Sequence, residues 1–541
     1  MMLKKVLLYY HTIKYMRCKQ VLWRIFFCVK KIGYREFNVF SNLLYSGRFR
    51  NIELNKDYKF FIGKEIIKTG NVLTENVQFE NMAYLKTRIT PIIKNNEFRF
   101  LNKTVSFNNE IEWQSKKCER LWLYNLHYFD YAFELGLAYI LGKDNAFFNV
   151  FKKLTIDWID KNQKIGCGYG WEPYPLSLRI VNWIYSYNLF CEQIKRDREF
   201  EDRFLTSLAE QTACLSKNIE FHVSRNHLIK NGKALFLAGM FFGGTYALKW
   251  GKEGFNILIK GIGEQVLDDG GHYERSPMYH LIVLQDYLEM LILAKRNNID
   301  FPVNEKLGKM VYFLVNILHP DNKIPLFNDS AFDIAKNPGE ILQIASFALN
   351  GLPDYVYLFT TTLFTILLTG DIPKIRQRET VTILPKSDDV TVNEHPESVT
   401  SNHSMLFKDS GFCSIRNKKN DKFLIIGYKD PTPFHLPGHS HSDILSYELS
   451  LGNNRFIIDS GVNNYQPGKW REYFRSSRAH NTLTVNKHNQ SELWGIFGIA
   501  RRAISLSARL HSDNGNNIIF DSGYKGFPEF HNICHQRSVY F

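Results

Sequence analysis

The residues Gly438, His439, Ser440, His441, Ser442 and Asp443 form the densest group in the chain able to do chemistry. On an extended strand, residues two apart share a face. His439, His441 and Asp443 are therefore expected to point the same way. His-x-His is a zinc-ligand spacing, and the plainer alternative is a solvated histidine pair on an outer face. Asp459 ends the apolar run Arg455-Phe456-Ile457-Ile458, and His480 opens Ala479-His480-Asn481-Thr482. With His441 they would supply the nitrogen and oxygen donors that a divalent metal takes. The competing reading makes Asp459 a turn carboxylate before Gly461.

Further candidates precede this cluster. Ser224, Arg225, Asn226 and His227 open a strongly apolar helix. Ser224 suits an N-cap, while the Asn226 amide and His227 imidazole suit a carboxylate. The stretch Asp269 to His280 reads as a glycine- and proline-shaped loop leading into a helix. It is crowded with His272, Glu274 and Arg275, and Tyr279 is a candidate proton donor. Two aromatic-rich stretches follow the same logic. One, 121–130, contains Tyr124 and His127, and the other, 170–179, contains Trp171, Glu172, Tyr174 and Arg179. Both suit a carbohydrate groove with stacking rings or, alternatively, helix packing. Packing is the reading for Phe129 and Trp183.

These residues need a scaffold, and 541 residues exceed one ordinary core. From about 120 to 370, apolar residues recur at three- and four-residue spacing, as in Leu176–Ile194 and Ala234–Leu248. That predicts a helical bundle, solenoid or toroid. The stretch 371–401 is polar and contains Pro373, Pro385 and Pro396, as a linker would. Beyond it, Phe423–Tyr428, Ile444–Leu451, Arg455–Asp459, Thr482–Val485 and Asn517–Phe520 are short strand-like runs, predicting an antiparallel β-sandwich. Arg537–Phe541 reads as a strand in progress, so the sandwich is expected to be C-terminally incomplete. The expected division is a basic N-terminal segment 1–70, a helical domain 71–372, a linker 373–402 and a β-sandwich domain 403–541.

Charge is uneven. Residues 1–70 hold 15 Lys and Arg against 4 Asp and Glu, most of the chain's net +14. Global basicity therefore marks this segment rather than a uniformly positive cleft. Residues 1–35 carry nine basic residues and no acid, interleaved with Leu7, Leu8, Tyr9, Tyr10, Trp23, Phe26 and Phe27. Such a stretch either lies on an anionic membrane or packs on the body with its charges in solvent. No nucleic-acid motif accompanies it. No apolar run reaches the ~18–20 residues of a membrane span, and basic residues interrupt any signal-peptide core. The eight cysteines include no Cys-x-x-Cys pair and read as reduced thiols.

Taken together, the stretches YNLHYFDY (124–131), WEPYPLSLRIVNWI (171–184), SRNHLIKNGKALFLAG (224–239), DGGHYERSPMYH (269–280), FNDS (327–330), GHSHSDILSYELSLG (438–452) and 459–495 resemble the heparinase II/III-like polysaccharide lyases. These are related to helical-toroid alginate lyases, and the resemblance extends to the type found in bacterial surface-polysaccharide gene clusters. The resemblance implies a multidomain α + β chain with an incomplete (α/α) toroid followed by an antiparallel β-sandwich. It implies β-elimination at a uronic acid of an acidic polysaccharide, in the periplasm or at the envelope. It places Asn226 and His227 at the substrate carboxylate, Tyr279 as acid and also base, and His439 as base or second acid/base, with Arg275 adding positive charge. Tyr124, His127, Trp171, Glu172, Tyr174, Arg179, His272 and Glu274 would line the substrate groove. His441, Asp459 and His480 match a structural divalent-metal site, usually zinc, with Asp443 supporting it. A uronate C5-epimerase and a non-enzymatic glycan-binding or assembly factor are the alternatives. A zinc hydrolase built on His439, His441 and Asp443 ranks below them, because no His-Glu-x-x-His motif is present.

Overall fold

The computed structural model describes residues 2–36, 49, 51–61, 63, 75–108, 110–352, 362–370, 402–417, 421–430, 433, 435, 437–513, 517–530 and 533–541. The expected linker, except residue 402, and parts of the expected N-terminal segment lie outside these residues.

Two helices, α1 (Met2–Ile13) and α2 (Cys18–Glu36), come first. Helix α3 (Glu75–Asn95) and a hairpin of β1 (Glu97–Phe100) and β2 (Lys103–Ser106) lead to α4 (Arg120–Tyr128). Then follow α5 (Asp130–Gly142), α6 (Asn145–Lys161), α7 (Pro173–Leu189), α8 (Cys191–Arg196) and α9 (Arg198–Lys217). The helical part continues with α10 (Arg225–Phe241), α11 (Gly244–Gln265), α12 (Pro277–Arg296), α13 (Asn304–Ile317), α14 (Pro338–Ala348) and α15 (Leu363–Thr369).

The packing shows an (α/α) toroid. Helices α5, α7, α10 and α12 touch in succession and form an inner layer, while α6, α9, α11 and α13 back them from outside. Inner helices are buried nearly all round: Leu176, Ile180, Trp183 and Ile184 on α7, and Leu281, Leu284, Tyr287, Leu288 and Leu291 on α12. That explains a periodicity without a clear polar face. The run Ala234–Leu248, expected as one helix, is two, broken at Gly244 with φ +80°. The returning helix lies very close: a Cβ on Gly239 would sit 2.2 Å from the Gly251 Cα. Leu176–Ile194 likewise breaks at Phe190.

The β part holds a five-stranded antiparallel meander, β3 (Asn402–Phe407), β4 (Phe412–Asn417), β5 (Lys422–Gly427), β6 (Ser446–Leu451) and β7 (Asn454–Ile457). After it come α16 (Lys469–Arg475), a short hairpin of β8 (Leu493–Trp494) and β9 (Gly498–Ile499), and a second sheet. In that sheet β10 (Ile504–Ser505) and β11 (Arg509–Ser512) both pair with one edge of β12 (Ile518–Gly526), and β13 (Ile533–Tyr540) pairs with the other. Arg537–Phe541 is thus largely the second half of β13. Thr482–Val485 forms no strand; Val485 makes only an isolated bridge to His488.

The meander is buried on both faces. Phe412, Phe423 and Ile425 meet Phe313, Ile317 and Phe327 of the helical part. Cys413, Ile415, Leu424 and Ile426 meet Phe520 and Tyr524 of the second sheet. A strand covered on both sides reads as a continuous apolar run rather than an alternation, as 423–426 does. The same packing fixes the β domain against the toroid.

Candidate active site between toroid and sandwich

The N-terminal ends of α7, α10 and α12 converge. The Tyr174 ring, at the start of α7, lies 4.1 Å from the ring of His227 on α10. Asn226, beside it and buried, donates from its backbone N–H (3.2 Å) and its Nδ2 (3.0 Å) to Glu274 Oε1, just before α12. Three helix N-termini directed at one place favour an anion there. The entry to α10 is strained: Ser224 and Arg225 have φ of 55° and 56°. Ser224 therefore does not cap the helix as its position suggested. Tyr273 Oη accepts from the Arg225 N–H at 3.0 Å, and the Arg225 carbonyl accepts from Gln265 Nε2 at 3.1 Å, which holds the turn.

The β domain brings His439 to the same point. Its Nδ1 is 2.9 Å from Asp329 Oδ2 and its Nε2 is 3.3 Å from Glu274 Oε2. Its ring lies 4.1 Å from that of Tyr279, whose hydroxyl is 3.1 Å from that of Tyr465. A contiguous polar line thus runs Asn226, Glu274, His439, Tyr279, Tyr465. Burial, then Tyr465 and Asp329, push the Tyr279 phenol well above its ordinary range, so it rests protonated. Burial opposes a charge on Glu274, but His439, Arg225 and His272 outweigh it and hold the carboxyl below its usual value.

Asp329 is the hub. It is fully buried and takes Arg471 in a two-point ion pair at 2.5 and 2.9 Å. Burial alone would raise its pKa; Arg471 and the two imidazoles hold it well below the usual range. An ionised carboxylate only accepts hydrogen bonds. His439 Nδ1 and His441 Nε2, the latter 2.7 Å from Asp329 Oδ1, must therefore both carry protons. That leaves the other nitrogen of each ring unengaged by Asp329: Nε2 on His439, which faces Glu274 Oε2 at 3.3 Å, and Nδ1 on His441. The backbone reinforces the arrangement, because the Asp329 N–H donates to the His439 carbonyl at 3.1 Å and Asn328 Oδ1 accepts from the His441 N–H at 3.0 Å.

Next to this polar line lies a candidate metal centre. Ligand atoms of His441, Asp443 and His480 lie within 4.8 Å of one another. The buried His441 Nδ1 and His480 Nε2 have no hydrogen-bond partner. Each ring donates its other proton to a carboxylate, His441 to Asp329 and His480 Nδ1 to Asp459 at 2.8 Å. This is how proteins orient metal-binding histidines, and the donor set fits a divalent ion such as zinc. The expected ligand set is corrected in one member. Asp459 is engaged by His480, Ser446 Oγ and the Gly461 N–H, and it orients His480, while Asp443 stands in the triad. Burial lowers the His480 imidazole, but Asp459 and Asp443 raise it to about 9, so a proton and a cation compete for Nε2.

Other expected site residues go elsewhere. Arg275 donates to the carbonyls of Asp430 (2.8 Å) and Asp409 (2.9 Å), away from Tyr279. Arg225 is instead the cation beside Glu274, packed so closely on Gly438 that a Cβ there would meet its Nη1 at 2.1 Å. His127 is fully buried. It accepts from Trp158 Nε1 at 2.9 Å and its Nε2 lies 2.9 Å from the Trp113 carbonyl. Burial lowers its pKa to about 3. Arg179 is buried over the Trp158 ring and donates to Gln211, His127 and Gly170. Trp171 is buried and donates to the Asn162 carbonyl at 2.9 Å. These three hold the toroid together from inside rather than facing a groove. His272 is buried against Gln265, and burial lowers it to about 4. Tyr124 and Glu172 are partly exposed and bond to each other and to Arg120. Tyr174 is partly exposed and stays at the site.

Two family descriptions match the chain: "Heparinase II/III N-terminus" over residues 61–343 and "Heparinase II/III-like, C-terminal" over residues 400–541. The chain belongs to the heparinase II/III family. It is 23% identical to a heparin-sulfate lyase of Bacteroides stercoris over 464 residues, and 24% identical to one of Pedobacter heparinus over 450 residues. Each alignment takes in 80% of this chain, which spans about 60% of the length of these curated relatives. Among solved structures it resembles heparinase III, with TM-score 0.65 and 20% identity over 90% of this chain and 76% of that one. It also resembles a heparan sulfate lyase of Pedobacter heparinus, with TM-score 0.55 and 20% identity over 94% and 72% of the two chains. These likenesses show the toroid-plus-sandwich fold.

Within this heparinase II/III chain, sequence reasoning missed Asp329, Arg471, Tyr465 and Arg225 as site residues. Asp329 lay in a recognised stretch, FNDS, and Tyr465 and Arg471 in another, 459–495. Arg225 adjoined a residue already singled out.

Proposed function

We propose that the chain is a polysaccharide lyase that cleaves an acidic, uronic-acid-containing polysaccharide by β-elimination. The observation that carries this is the meeting of Asn226, Tyr279 and His439, contributed by two toroid helices and a β-domain loop, at converging helix N-termini. In β-elimination a base removes the C5 proton. The C5–H electron pair becomes the C4=C5 double bond, the C4–O bond breaks towards oxygen, and an acid protonates the leaving oxygen.

Each demand has a candidate group. Negative charge builds on the uronate carboxylate as C5 loses its proton, and preorganised donors must be in place for it. Glu274 takes one hydrogen of the Asn226 amide and so orients the second towards substrate. His227, held by Glu220 at 3.2 Å and by the Tyr174 ring, stands beside it. Arg225 adds positive charge. His439 Nε2 is the nitrogen that Asp329 does not engage and takes the C5 proton. Tyr279, a protonated phenol, gives its proton to the leaving oxygen. Tyr174, against the His227 ring, borders the site as a sugar-binding group. His441, Asp443 and His480 would hold a divalent ion, zinc by donor type, whose charge would fix the loop that carries His439.

The test is incubation with a panel of uronic-acid polymers, following the ultraviolet absorbance of unsaturated uronate ends. Absorbance that rises with one polymer and vanishes in Tyr279→Phe supports the proposal. Turnover by Tyr279→Phe at the normal rate contradicts it.

A further inference from the structure

The N-terminal hairpin has a side that the described body does not cover. Helix α1 reaches the β domain: Trp494 Nε1 donates to Thr12 Oγ1 at 2.9 Å, and Arg502 lies 4.1 Å from the Tyr15 ring. Helix α2 reaches the toroid, with Trp23 5.3 Å from Phe221 and Phe27 4.4 Å from His222. On another face α2 carries Leu22, Ile25, Val29 and Ile32, between 57% and 66% exposed. Their spacing of three, four and three residues makes one continuous stripe. Val6, Tyr10 and Ile13 repeat the spacing on α1, and all are at least half exposed. Single exposed apolar residues are ordinary on a protein surface, whereas a stripe along two consecutive helices marks a surface that meets something apolar.

Charge decides what that is. Residues 2–35 carry nine Lys and Arg and no acid, and Lys5, Lys14 and Arg24 are exposed. Lys249, Lys252 and Lys260 of α11 line a groove alongside α2 together with Arg17 and Lys19, and the groove's acids are Glu253 and Glu264. A second copy would set cations against cations, while an anionic lipid surface offers an apolar layer beneath negative headgroups. No helix among the described residues is long and apolar enough to cross a membrane.

We propose that α1 and α2 dock this protein on an anionic membrane surface, lying in the interface plane with the apolar stripe among the acyl chains and the lysines and arginines at the headgroups. This stands apart from the lyase reading, since none of these residues belongs to the catalytic line.

The test is flotation of the full chain with vesicles of phosphatidylcholine alone or mixed with phosphatidylglycerol. Two variants accompany it: Leu22→Ser with Ile25→Ser and Val29→Ser, and Lys5→Gln with Lys14→Gln and Arg24→Gln. The expected result is binding to the mixed vesicles that added salt weakens and that each triple variant reduces by at least about tenfold, with circular dichroism unchanged. Three results would overturn the proposal: no flotation at low ionic strength, undiminished flotation of both variants, or a wild-type dimer that the serine variant turns into a monomer.

Discussion

Asp329 shows how one carboxylate can set the chemistry of a site. It fixes the proton position on two imidazoles and holds Arg471 by two hydrogen bonds. Asp329→Asn keeps the shape but leaves Arg471 buried without its counter-charge. Removing one partner of a buried pair costs about 3–5 kcal/mol. The variant is therefore expected to unfold at clearly lower temperature in calorimetry and to lose activity as His439 loses its fixed tautomer; an unchanged melting temperature would contradict the hub role. Much of this site was legible in the sequence. Asn226, Tyr279 and His439 stand in dense local motifs and do meet. Asp329 was hidden because its partners lie 110 and 142 residues away. His127, Trp171 and Arg179 misled because rings and polar groups at helical spacing look alike whether they face a sugar or a core. Asp459 and Asp443 are both carboxylates near His480, and the sequence does not tell that Asp459 bonds the Nδ1 of that ring while Asp443 stands in the candidate triad.

At the scale of elements, the loop before α12 is stapled to the β domain. Asp269 Oδ2 accepts from the Asp409 and Ser410 N–H groups at 2.8 and 2.7 Å, and Arg275 holds the same turn. Gly270, with φ +86°, has no room for a side chain, because a Cβ would lie 2.1 Å from the Lys309 carbonyl oxygen. Gly270→Ala is expected to cost about 1–3 kcal/mol and to lower activity by shifting Glu274 and Tyr279; a variant of full stability would show that the turn is not constrained. Between α10 and α12 runs a buried charge network. Asp286 pairs with Lys230 and Lys233 at 2.9 Å, and Glu289 accepts from Tyr185 at 2.6 Å. Burial would raise Asp286, but the two lysines hold it below its ordinary value of about 3.9. A depressed folded pKa means that this stability is present above about pH 4 and is lost as pH falls through the folded value. Thermal melts should drop below about pH 4, and Asp286→Asn should flatten that part of the profile. An equally steep drop in the variant would assign acid lability elsewhere. The helical texture announced these elements, but its breaks at Phe190 and Gly243–Gly244 were blurred by apolar residues running straight across them.

At the scale of the whole molecule, the contacts that hold the domains together include Phe313, Ile317 and Phe327 against the meander, the loop contacts around Asp329 and the staple of Asp269 and Arg275. The site exists only where they meet, so whatever stabilises the β domain protects the chemistry. A chelator is expected to lower the melting temperature and to release about one equivalent of divalent metal per chain, and His480→Ala is expected to lower the melting temperature without chelator; loss of activity at once with no change in melting would make the ion catalytic instead. The order of a helical part followed by antiparallel sheets was readable from the change of texture across residues 371–402, whereas the double burial of the meander was not, since only the packed partner distinguishes a two-faced strand from a buried helix segment. The proposed function rests on β-elimination at the line from Asn226 to Tyr279. Its most direct test is ultraviolet absorbance during incubation of wild type and Tyr279→Phe with uronic-acid polymers. Unsaturated ends are expected with wild type, with a loss of about 10²–10⁴-fold in the variant and retained polymer binding. Equal rates in the two proteins, or cleavage that leaves only saturated ends, would contradict it.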